Sequence, residues 1–335
     1  MQPIDFIQSY FETLPPAPKF TEKDLVDLSA RVYLVTGGAS GVGLELCKCL
    51  YSKSATVYIA GRSQPNADVA IASIRSAHPS STGTLKFLFL DLSDLRTIKP
   101  AALSFLADEP RLDVVWHNAG IMLPENGAKD AQGHELQMGT NVLGPWLLQH
   151  FLTPLLHQTA ARADIPADSV RVVWVASMAS SVAPKGGIHW DDINWETTTH
   201  STITSLLTIN GGALKYGQSK AANIILAAEA AKRWAGSGVV SLSLNPGNLK
   251  SNLDRTTPAW ARFILDNFIY YPAYYGGLTE LFAGLSPTIT VREHAGRYII
   301  PWGRFGMPRK DIVDALAPNG ERLWQWCWDE CRLFM

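Results

Sequence analysis

A tyrosine and a lysine four residues apart are the side chains whose types and spacing most directly suggest chemistry. Tyr216 and Lys220 lie in an alanine-rich stretch that predicts a helix over 215–235, so both project from one helix face. The pKa of a phenol is ordinarily about 10, and a nearby ammonium lowers it by favouring the phenolate. Such a phenol can donate a proton to an alkoxide, and its phenolate can take one from an alcohol. Because the same spacing is common by chance in surface pairs, the surrounding elements decide its meaning.

The elements that would position this pair alternate between strand and helix. Short apolar runs predict strands at 31–36, 55–60, 85–90, 112–117, 170–176 and 239–244. Helices are predicted between them at 44–51, 68–77, 95–106, 132–158 and 215–235. This alternation favours a parallel sheet covered by helices on both faces, and strands that are apolar throughout fit burial on both faces. We therefore predict an α/β fold with a doubly wound parallel sheet.

Composition excludes several classes of protein. The chain has 335 residues, with 29 Lys and Arg against 30 Asp and Glu, and 47% of its residues are hydrophobic. A near-neutral balance without a basic tract argues against nucleic acid as a partner. The longest apolar runs fall short of the ~18 residues of a membrane span, and residues 1–20 lack the apolar core of a signal peptide. The four cysteines have neither the spacing of a zinc site nor that of a disulfide framework. We expect a cytoplasmic globular protein with no membrane span and no metal.

A glycine-rich turn follows the first predicted strand. Residues 36–43 read TGGASGVG and lead directly into the first predicted helix. Glycines there allow a tight turn, and the helix N-terminus offers N–H groups and a positive dipole end to a pyrophosphate. A plain turn is the alternative, but a strand before it and a helix and strand after it favour dinucleotide binding. The residues predicted to cradle the dinucleotide are Gly37, Ser40, Gly41, Val42 and Gly43.

The spacing TGxxxGxG differs from the GxGxxG of other dinucleotide folds, and with it the chain resembles the short-chain dehydrogenase/reductase family. The likeness covers most of residues 31–300 and is closest to the retinol-dehydrogenase-like branch and to fungal secondary-metabolism reductases. It implies a Rossmann-type fold in a single domain, with C-terminal helices that cover the substrate. Residues 1–30 would then be an N-terminal arm and 31–255 the NADP-binding and catalytic core. Residues 256–335 would supply the substrate lid, the last strand and the C-terminal helix.

The resemblance also implies a catalytic tetrad of Asn141, Ser177, Tyr216 and Lys220. Ser177, at the end of the fifth predicted strand, would orient the substrate carbonyl, and Tyr216 would protonate it. Lys220 would lower the pKa of Tyr216 and bind the nicotinamide ribose, while Asn141 would support a proton relay. The hydride itself would come from the nicotinamide.

The segment that follows Ser177 is longer than in compact members of the family and in this respect resembles the retinol-dehydrogenase-like branch. Ser180 and Ser181 lie within it and are alternatives to Ser177 as the hydroxyl that meets the substrate. Asp191 and Asp192 invite an interpretation as an acid/base pair. Because sequence neighbours usually point in different directions, we expect them to be a solvated loop or a local cap instead.

The end of the second predicted strand bears on the choice of cofactor. It carries no acidic residue, and Arg62 offers a planar cationic fork that suits a 2′-phosphate. We therefore predict NADP(H), although Arg62 could be an ordinary surface residue. His117 replaces an asparagine of the family motif, and Ser251 follows in the position of a family hydroxyl. Further cofactor contacts implied by the resemblance are Asp91, Leu92, Asn118, Ala119, Gly120, Tyr216, Lys220, Pro246 and Gly247.

The substrate is predicted from residues 256–282, which carry eight aromatic side chains where the family places its lid. Aromatic linings suit bulky apolar ligands, such as polyketide, terpenoid, alkaloid or steroid-like carbonyl compounds; the alternative is that these rings fill a core or a dimer interface. Near the C-terminus, Trp324 and Trp328 share a helix face and are expected to pack on the core. Contact with a membrane surface is the alternative, but the segment lacks a lysine-rich polar face.

We thus predict an NADP(H)-dependent oxidoreductase that reduces a carbonyl to a secondary alcohol. Three alternatives stay open: an alcohol dehydrogenase acting on retinol- or steroid-like alcohols, a catalytically silent dinucleotide-binding protein, and a non-reductive step on the same residues. Members of the family often pair through their long helices, which implies a homodimer or homotetramer.

Overall fold

A mostly parallel sheet forms the centre of the computed structural model, which describes residues 12–198, 211–250 and 270–335. In these ranges the strand order is β3-β2-β1-β4-β5-β6-β7-β8, and only the β7–β8 pair is antiparallel. The strands are β1 Val32–Thr36, β2 Thr56–Gly61, β3 Thr84–Phe89, β4 Val114–His117, β5 Arg171–Val175, β6 Val240–Leu244, β7 Tyr298–Ile300 and β8 Arg304–Gly306. The predicted single α/β domain with a Rossmann-type doubly wound sheet is confirmed.

Helices cover both faces of this sheet. They are α1 Gly41–Ser52, α2 Gln64–Ala77, α3 Ile98–Asp108, α4 Gly144–Ala160, α5 Gly212–Arg233, α6 Ala273–Leu285, α7 Val291–His294, α8 Lys310–Asp314 and α9 Leu316–Cys331. A short helix Leu136–Met138 and a π turn Gly139–Leu143 run into α4 without a break. Among the described helices, none has the length and apolar character needed to cross a membrane.

Strand β5 contributes side chains to the cores on both faces of the sheet. All five of its residues are buried, and successive side chains point to opposite faces of the sheet. Val172 and Trp174 join the core cluster formed with α3, α4, α5 and α9. Val173 and Val175 join the cluster formed with α1, α2 and α6. The apolar run predicted as a doubly buried strand is therefore confirmed.

The order of the strands reverses between β1 and β4, which are neighbours in the sheet but not in the chain. The loops after these two strands diverge to opposite sides and leave a crevice at the carboxyl edge, where open α/β sheets bind ligands. Both the glycine-rich turn after β1 and the segment after His117 of β4 lie at this crevice.

The C-terminal helix α9 packs over α4 and α5. Leu323, Cys327 and Cys331 are buried in this contact. The ring of Trp324 meets that of Trp146 edge-on with 5.5 Å between their centres. Trp324 therefore packs on the core as predicted, whereas Trp328 is 42% exposed and its ring centre lies 6.4 Å from that of Trp146. Helix α9 contributes no described residue to the cavity at the carboxyl ends of the strands.

The described part of the N-terminal arm packs against the core. Leu25 and Leu28 are buried together with residues of α1 and α2. Phe20 meets Phe282 of α6 with 6.0 Å between ring centres. The hydroxyl of Tyr274, also on α6, donates to the Glu22 carboxylate at 2.7 Å. The arm is thus attached to α6 through Phe20 and Glu22, and to α1 and α2 through its two leucines.

Candidate active site

A cavity of about 410 Å³ opens at the carboxyl ends of β1, β4, β5 and β6. Its walls are mostly apolar, and it lies where the strand order predicts a ligand site. The predicted site residues that line it are Val42, Asn118, Gly120, Ser177, Tyr216, Lys220, Pro246 and Gly247. Residues from five separate segments of the predicted site therefore meet at one cavity.

Helix α5 brings Tyr216 and Lys220 to the same wall. The helix begins after Gly211, whose φ of +79° is in the left-handed region that favours glycine. Both side chains are buried, and the Lys220 Nζ lies 5.7 Å from the centre of the Tyr216 ring. The ammonium donates to the Val175 carbonyl at 2.8 Å, at the end of β5. It is therefore fixed next to the phenol rather than free to swing away.

Burial lowers the pKa of the Lys220 ammonium to about 8, and the carboxyl of Glu280 acts in the opposite direction. Lys220 is therefore charged at neutral pH but close to its titration range. The positive charge favours the ionised form of a neighbouring phenol. The two side chains share one face of α5, as their spacing in the sequence predicts.

Glu280 on α6 is a buried acidic residue that the sequence analysis missed. Burial raises the pKa of its carboxyl to about 8, while the charge of Lys220 lowers it. Neither carboxyl oxygen has a hydrogen-bond partner among the described residues. The helix is held here by the Trp116 indole, which donates to the Glu280 backbone carbonyl at 2.9 Å. The only sequence signal was a single acidic residue within an otherwise apolar helix.

Ser177 caps the short 3₁₀ turn Met178–Val182 that follows β5. Its Oγ accepts a hydrogen bond from the Ala179 N–H at 3.1 Å, which leaves the hydroxyl proton available to a second partner. Ser181 also lines the cavity, whereas Ser180 is buried and does not. The structure thus brings Ser177 and Ser181, but not Ser180, to the cavity.

Asn141 lies in the π turn before α4, and its side chain links two elements of the site. Its Nδ2 donates to the Ile121 carbonyl and to the Ser219 hydroxyl, each at 3.0 Å. Its Oδ1 accepts from the Ile121 N–H at 2.9 Å. A methyl group placed on Gly120 would lie 3.2 Å from both Asn141 Oδ1 and Lys220 Nζ. Asn141 therefore braces the segment after β4 against α5, close to the lysine.

The glycine-rich turn after β1 interlocks with the segment after β4. The Asn118 Nδ2 donates to the Thr36 carbonyl at 2.7 Å, and the Ala119 N–H donates to the Thr36 hydroxyl at 2.9 Å. A Cβ on Gly43 would lie 2.5 Å from the Asn118 amide nitrogen, closer than real Cβ atoms come. Gly37 adopts a φ of +69°. Position 43 therefore requires glycine because the Asn118 amide lies so close, and position 37 favours glycine because of its left-handed backbone conformation.

The N-terminus of α1 faces open space. Gly41 has a φ of +56°, and a Cβ placed there would meet no atom within 4 Å. Ser40, the residue that precedes the helix, makes no side-chain hydrogen bond that would cap it. The first N–H groups of α1 therefore have no cap from this side chain, which fits a pyrophosphate at the helix N-terminus.

The predicted adenine-side residues lie beyond this turn. Arg62 follows β2, is exposed, and makes no hydrogen bond or ion pair with another residue in the described ranges. The Asp91 carboxylate accepts from the N–H of Ser93 at 2.9 Å and from its hydroxyl at 2.6 Å. The Leu92 side chain is buried in the core, so only its backbone could meet a cofactor.

His117 is a structural residue in this fold. Its Nε2 pairs with the Gln149 Oε1 at 3.0 Å, and its ring lies 4.5 Å from that of Trp174. Burial lowers its pKa to about 4, so the imidazole is neutral at ordinary pH. It does not line the cavity.

The two adjacent carboxylates in the long insert are not an acid/base pair. Asp192 accepts from the N–H groups of Thr197 and Thr198, at 2.8 and 2.7 Å. Asp191 is exposed. The expected loop cap is thus confirmed. In the ranges that the structure describes, no group of three or more His, Cys, Asp or Glu side chains could hold a metal ion.

The aromatic segment divides between cavity and core. Tyr270 lines the cavity. Tyr271 and Tyr275 pack on Trp302, with ring centres 5.1 and 5.2 Å apart, and Phe282 packs between Phe20 and other core residues. In the described part of the segment, Tyr270 therefore lies at the cavity, while Tyr271, Tyr275 and Phe282 pack against other aromatic rings. Trp260, Phe263, Phe268 and Ser251 lie outside the described residues.

Comparison with known proteins agrees with this architecture. The family model for short chain dehydrogenase matches residues 31–190. A short-chain dehydrogenase/reductase of Phomopsis amygdali is 41% identical over 339 residues, which cover 98% of this chain and 97% of that protein. A crystal structure of an uncharacterized protein from Mycobacterium Paratuberculosis superposes with a TM-score of 0.68 at 26% identity, covering 93% of this chain and 97% of that one. The RhlG/NADP active-site complex of Pseudomonas aeruginosa shares the fold, with a TM-score of 0.52 at 22% identity and 90% and 91% of the two chains covered.

Proposed function

Because the chain belongs to the short-chain dehydrogenase/reductase family, whose members are oxidoreductases with nicotinamide cofactors, we propose that it reduces a ketone on a bulky apolar molecule. The product would be a secondary alcohol. One observation carries this proposal: the Tyr216 phenol and the Lys220 ammonium lie 5.7 Å apart, ring centre to Nζ, on the wall of one cavity.

The bound cofactor would supply a hydride to the carbonyl carbon. Ser177 would donate its hydroxyl proton in a hydrogen bond to the carbonyl oxygen, because its lone pair already accepts from the Ala179 N–H. Tyr216 would transfer its phenolic proton to the same oxygen as negative charge develops there. The charge of Lys220 makes this proton easier to lose. Asn141 would hold α5 and the segment after β4 in their relative positions through its hydrogen bonds to both.

The cavity supports a neutral, apolar substrate. Lys220 is the one charged side chain among its described lining residues. The walls on the substrate side are apolar and include Met122, Leu123, Val182 and Ala213, together with the ring of Tyr270. A volume of about 410 Å³ falls in the range of sites that enclose drug-sized ligands. We infer that the substrate is a polyketide-, terpenoid-, alkaloid- or steroid-like carbonyl compound of secondary metabolism.

The preferred cofactor is NADP(H). Arg62 is exposed directly after β2, with no ion pair to another described residue, and can meet a 2′-phosphate with its planar fork. Gly37, Gly41 and Gly43 would bring the backbone close to the pyrophosphate, and Asp91 would lie at the adenine. Pro246 and Gly247 would flank the nicotinamide. An NADP-selective site favours the reductive direction.

Nicotinamide absorbance with the purified chain tests this function. NADPH consumption should require a bulky ketone, should be slower with small polar carbonyls, and should be slower with NADH. Absence of turnover across a panel of apolar ketones, with NADPH bound, would contradict the reductive function. Faster turnover of small polar carbonyls would contradict the inferred substrate class alone.

A further inference from the structure

The N-terminal arm places a buried carboxylate beside the candidate active site. Glu12 is the first described residue, and only 6% of it is exposed. Its Oε2 accepts a hydrogen bond from Asn245 Nδ2 at 2.7 Å, between residues 233 positions apart in the chain. A carboxylate removed from water is costly unless it is well hydrogen-bonded. Its presence at this depth therefore needs an explanation beyond attachment of the arm.

Asn245 connects this carboxylate to the wall of the cavity. Its backbone N–H donates to the Ile299 carbonyl at 2.9 Å, which continues the β6–β7 pairing. Its Oδ1 accepts from the Gly247 N–H at 3.0 Å. Gly247 has a φ of +101°, and a Cβ there would lie 2.6 Å from the Trp302 ring, so this turn has little room to move. Gly247 itself lines the cavity with Tyr216.

The chemistry of the two groups fixes the orientation of the amide. An ionised carboxylate can only accept hydrogen bonds, so it must face the NH₂ end of Asn245. The carbonyl end of the amide then faces the Gly247 N–H, the group that needs an acceptor. A reversed amide would place two oxygen atoms together and two N–H groups together.

Two other polar groups share the surroundings of Glu12. Burial lowers the pKa of the Arg304 guanidinium, and the negative charge of Glu12 raises it. Burial also raises the pKa of the Tyr298 phenol, and Glu12 raises it further. The carboxylate therefore has a cation near it, so two roles must be separated: orienting Asn245 and neutralising Arg304.

We propose that Glu12 is a positioning residue that orients Asn245 and thereby holds the Pro246-Gly247 wall of the cavity. Its role in cofactor binding rests on the proposed function, because that wall would flank the nicotinamide. The orientation of Asn245 does not rest on it and can be measured in the cofactor-free protein.

Two substitutions in the full chain distinguish the effect of the Glu12 side-chain length from the effect of its negative charge. Glu12→Gln keeps the length and one acceptor oxygen but removes the charge. Glu12→Asp keeps the charge but withdraws the oxygens by one methylene. Glu22→Asp is the matched control, because Glu22 lies on the same arm and accepts from the Tyr274 hydroxyl away from the cavity.

Hydrogen–deuterium exchange of the Gly247 amide is the first measurement. Glu12→Asp should accelerate this exchange about tenfold, because the shortened side chain no longer reaches Asn245 and the hydrogen bond that orients the amide is lost. Glu12→Gln and Glu22→Asp should leave it close to wild type. Unchanged exchange in Glu12→Asp would overturn the role, and so would faster exchange in Glu12→Gln alone, which would assign the effect to charge.

NADPH titration followed by tryptophan fluorescence is the second measurement. We expect weaker binding in Glu12→Asp than in Glu12→Gln or Glu22→Asp. If the wild-type chain binds no NADPH, the proposed function fails while the exchange experiment still decides the role of Glu12. If one Glu12 variant unfolds, the other still decides between the two explanations. For each variant, one explanation predicts faster exchange of the Gly247 amide and the other predicts unchanged exchange.

Discussion

Lys220 donates a hydrogen bond to the Val175 carbonyl at 2.8 Å while its Nζ lies 5.7 Å from the centre of the Tyr216 ring. The end of β5 therefore holds the ammonium beside the phenol, and one turn of α5 sets their separation. Electrostatic support of the phenolate follows from this relationship before any ligand binds.

Tyr216→Phe should remove the proton donor and leave the cavity wall intact. We expect turnover to fall by about 10³-fold, the usual contribution of a positioned general acid. NADPH affinity should stay within about twofold, because the ring and Lys220 both remain. Steady-state kinetics and fluorescence titration measure the two quantities. Retained turnover in this variant would reject Tyr216 as the acid.

The reductive activity should decline as pH rises through about 8, because burial lowers the pKa of Lys220 to that value and a neutral amine no longer supports the phenolate. The pH dependence of kcat/KM measures this. In Lys220→Arg the decline should move to higher pH, whatever the absolute rate, because a guanidinium stays charged. A decline at the same pH in both proteins would exclude Lys220 as its origin.

Glu280→Gln should alter stability in a pH-dependent way. Burial raises the pKa of Glu280 from 4.5 to about 8, so below pH 4.5 the carboxyl is protonated in both the folded and unfolded chain. As pH rises towards 8, the unfolded chain ionises and the buried group does not, and the folded state loses relative stability. Between pH 5 and pH 8 the loss has an upper limit on the order of 3 kcal/mol.

Thermal unfolding at pH 5 and pH 8 measures this difference. The variant should gain Tm relative to wild type at pH 8 and little at pH 5. An equal effect at both values would mean that the Glu280 carboxyl does not titrate differently in the folded protein.

Arg62→Asp should exchange the cofactor preference. A carboxylate there repels a 2′-phosphate and can accept from a ribose hydroxyl. We expect kcat/KM with NADPH to fall at least about tenfold, with NADH less affected. Arg75→Asp makes the same charge change at another exposed arginine, near the end of α2, and should leave the preference unchanged. If kcat/KM with NADPH fell equally in both variants, Arg62 would affect binding only through the net charge of the protein and not through contact with the 2′-phosphate.

The contact of α9 with α4 and α5 bears on oligomeric state. The family resemblance implies pairing through the long helices, but Trp324 and Cys327 of α9 already pack on them. We expect a monomer when molar mass is measured by light scattering on the full chain. A dimer that is cross-linked between two copies of α4 would contradict this expectation.

Six strands, their parallel arrangement and eight of the residues that line the cavity could be predicted from the sequence. Apolar runs of strand length and the residues that follow them are local signals, and these parallel strands end at one edge. Strand β8 was not predicted, because three residues carry no periodicity. The sequence predicts a regular helix around Asn141, where the structure has a π turn, because side-chain patterning does not distinguish a single π turn.

The contacts that the sequence did not reveal are non-local. Glu12 meets Asn245 across 233 positions. The Glu280 carboxyl interacts electrostatically with Lys220, and the Trp116 indole of β4 binds the Glu280 backbone carbonyl. No pattern within either segment indicates its partner. Burial of an acidic residue is decided by tertiary packing, which local composition does not encode.

The close fit of Gly43 against the Asn118 amide has a consequence for protein engineering. A side chain at position 43 would enter the space of Asn118, 75 positions later in the chain. Grafting a foreign nucleotide-binding loop onto this scaffold would therefore require compensating replacement at both places, and libraries that randomise the loop alone would discard most of their members.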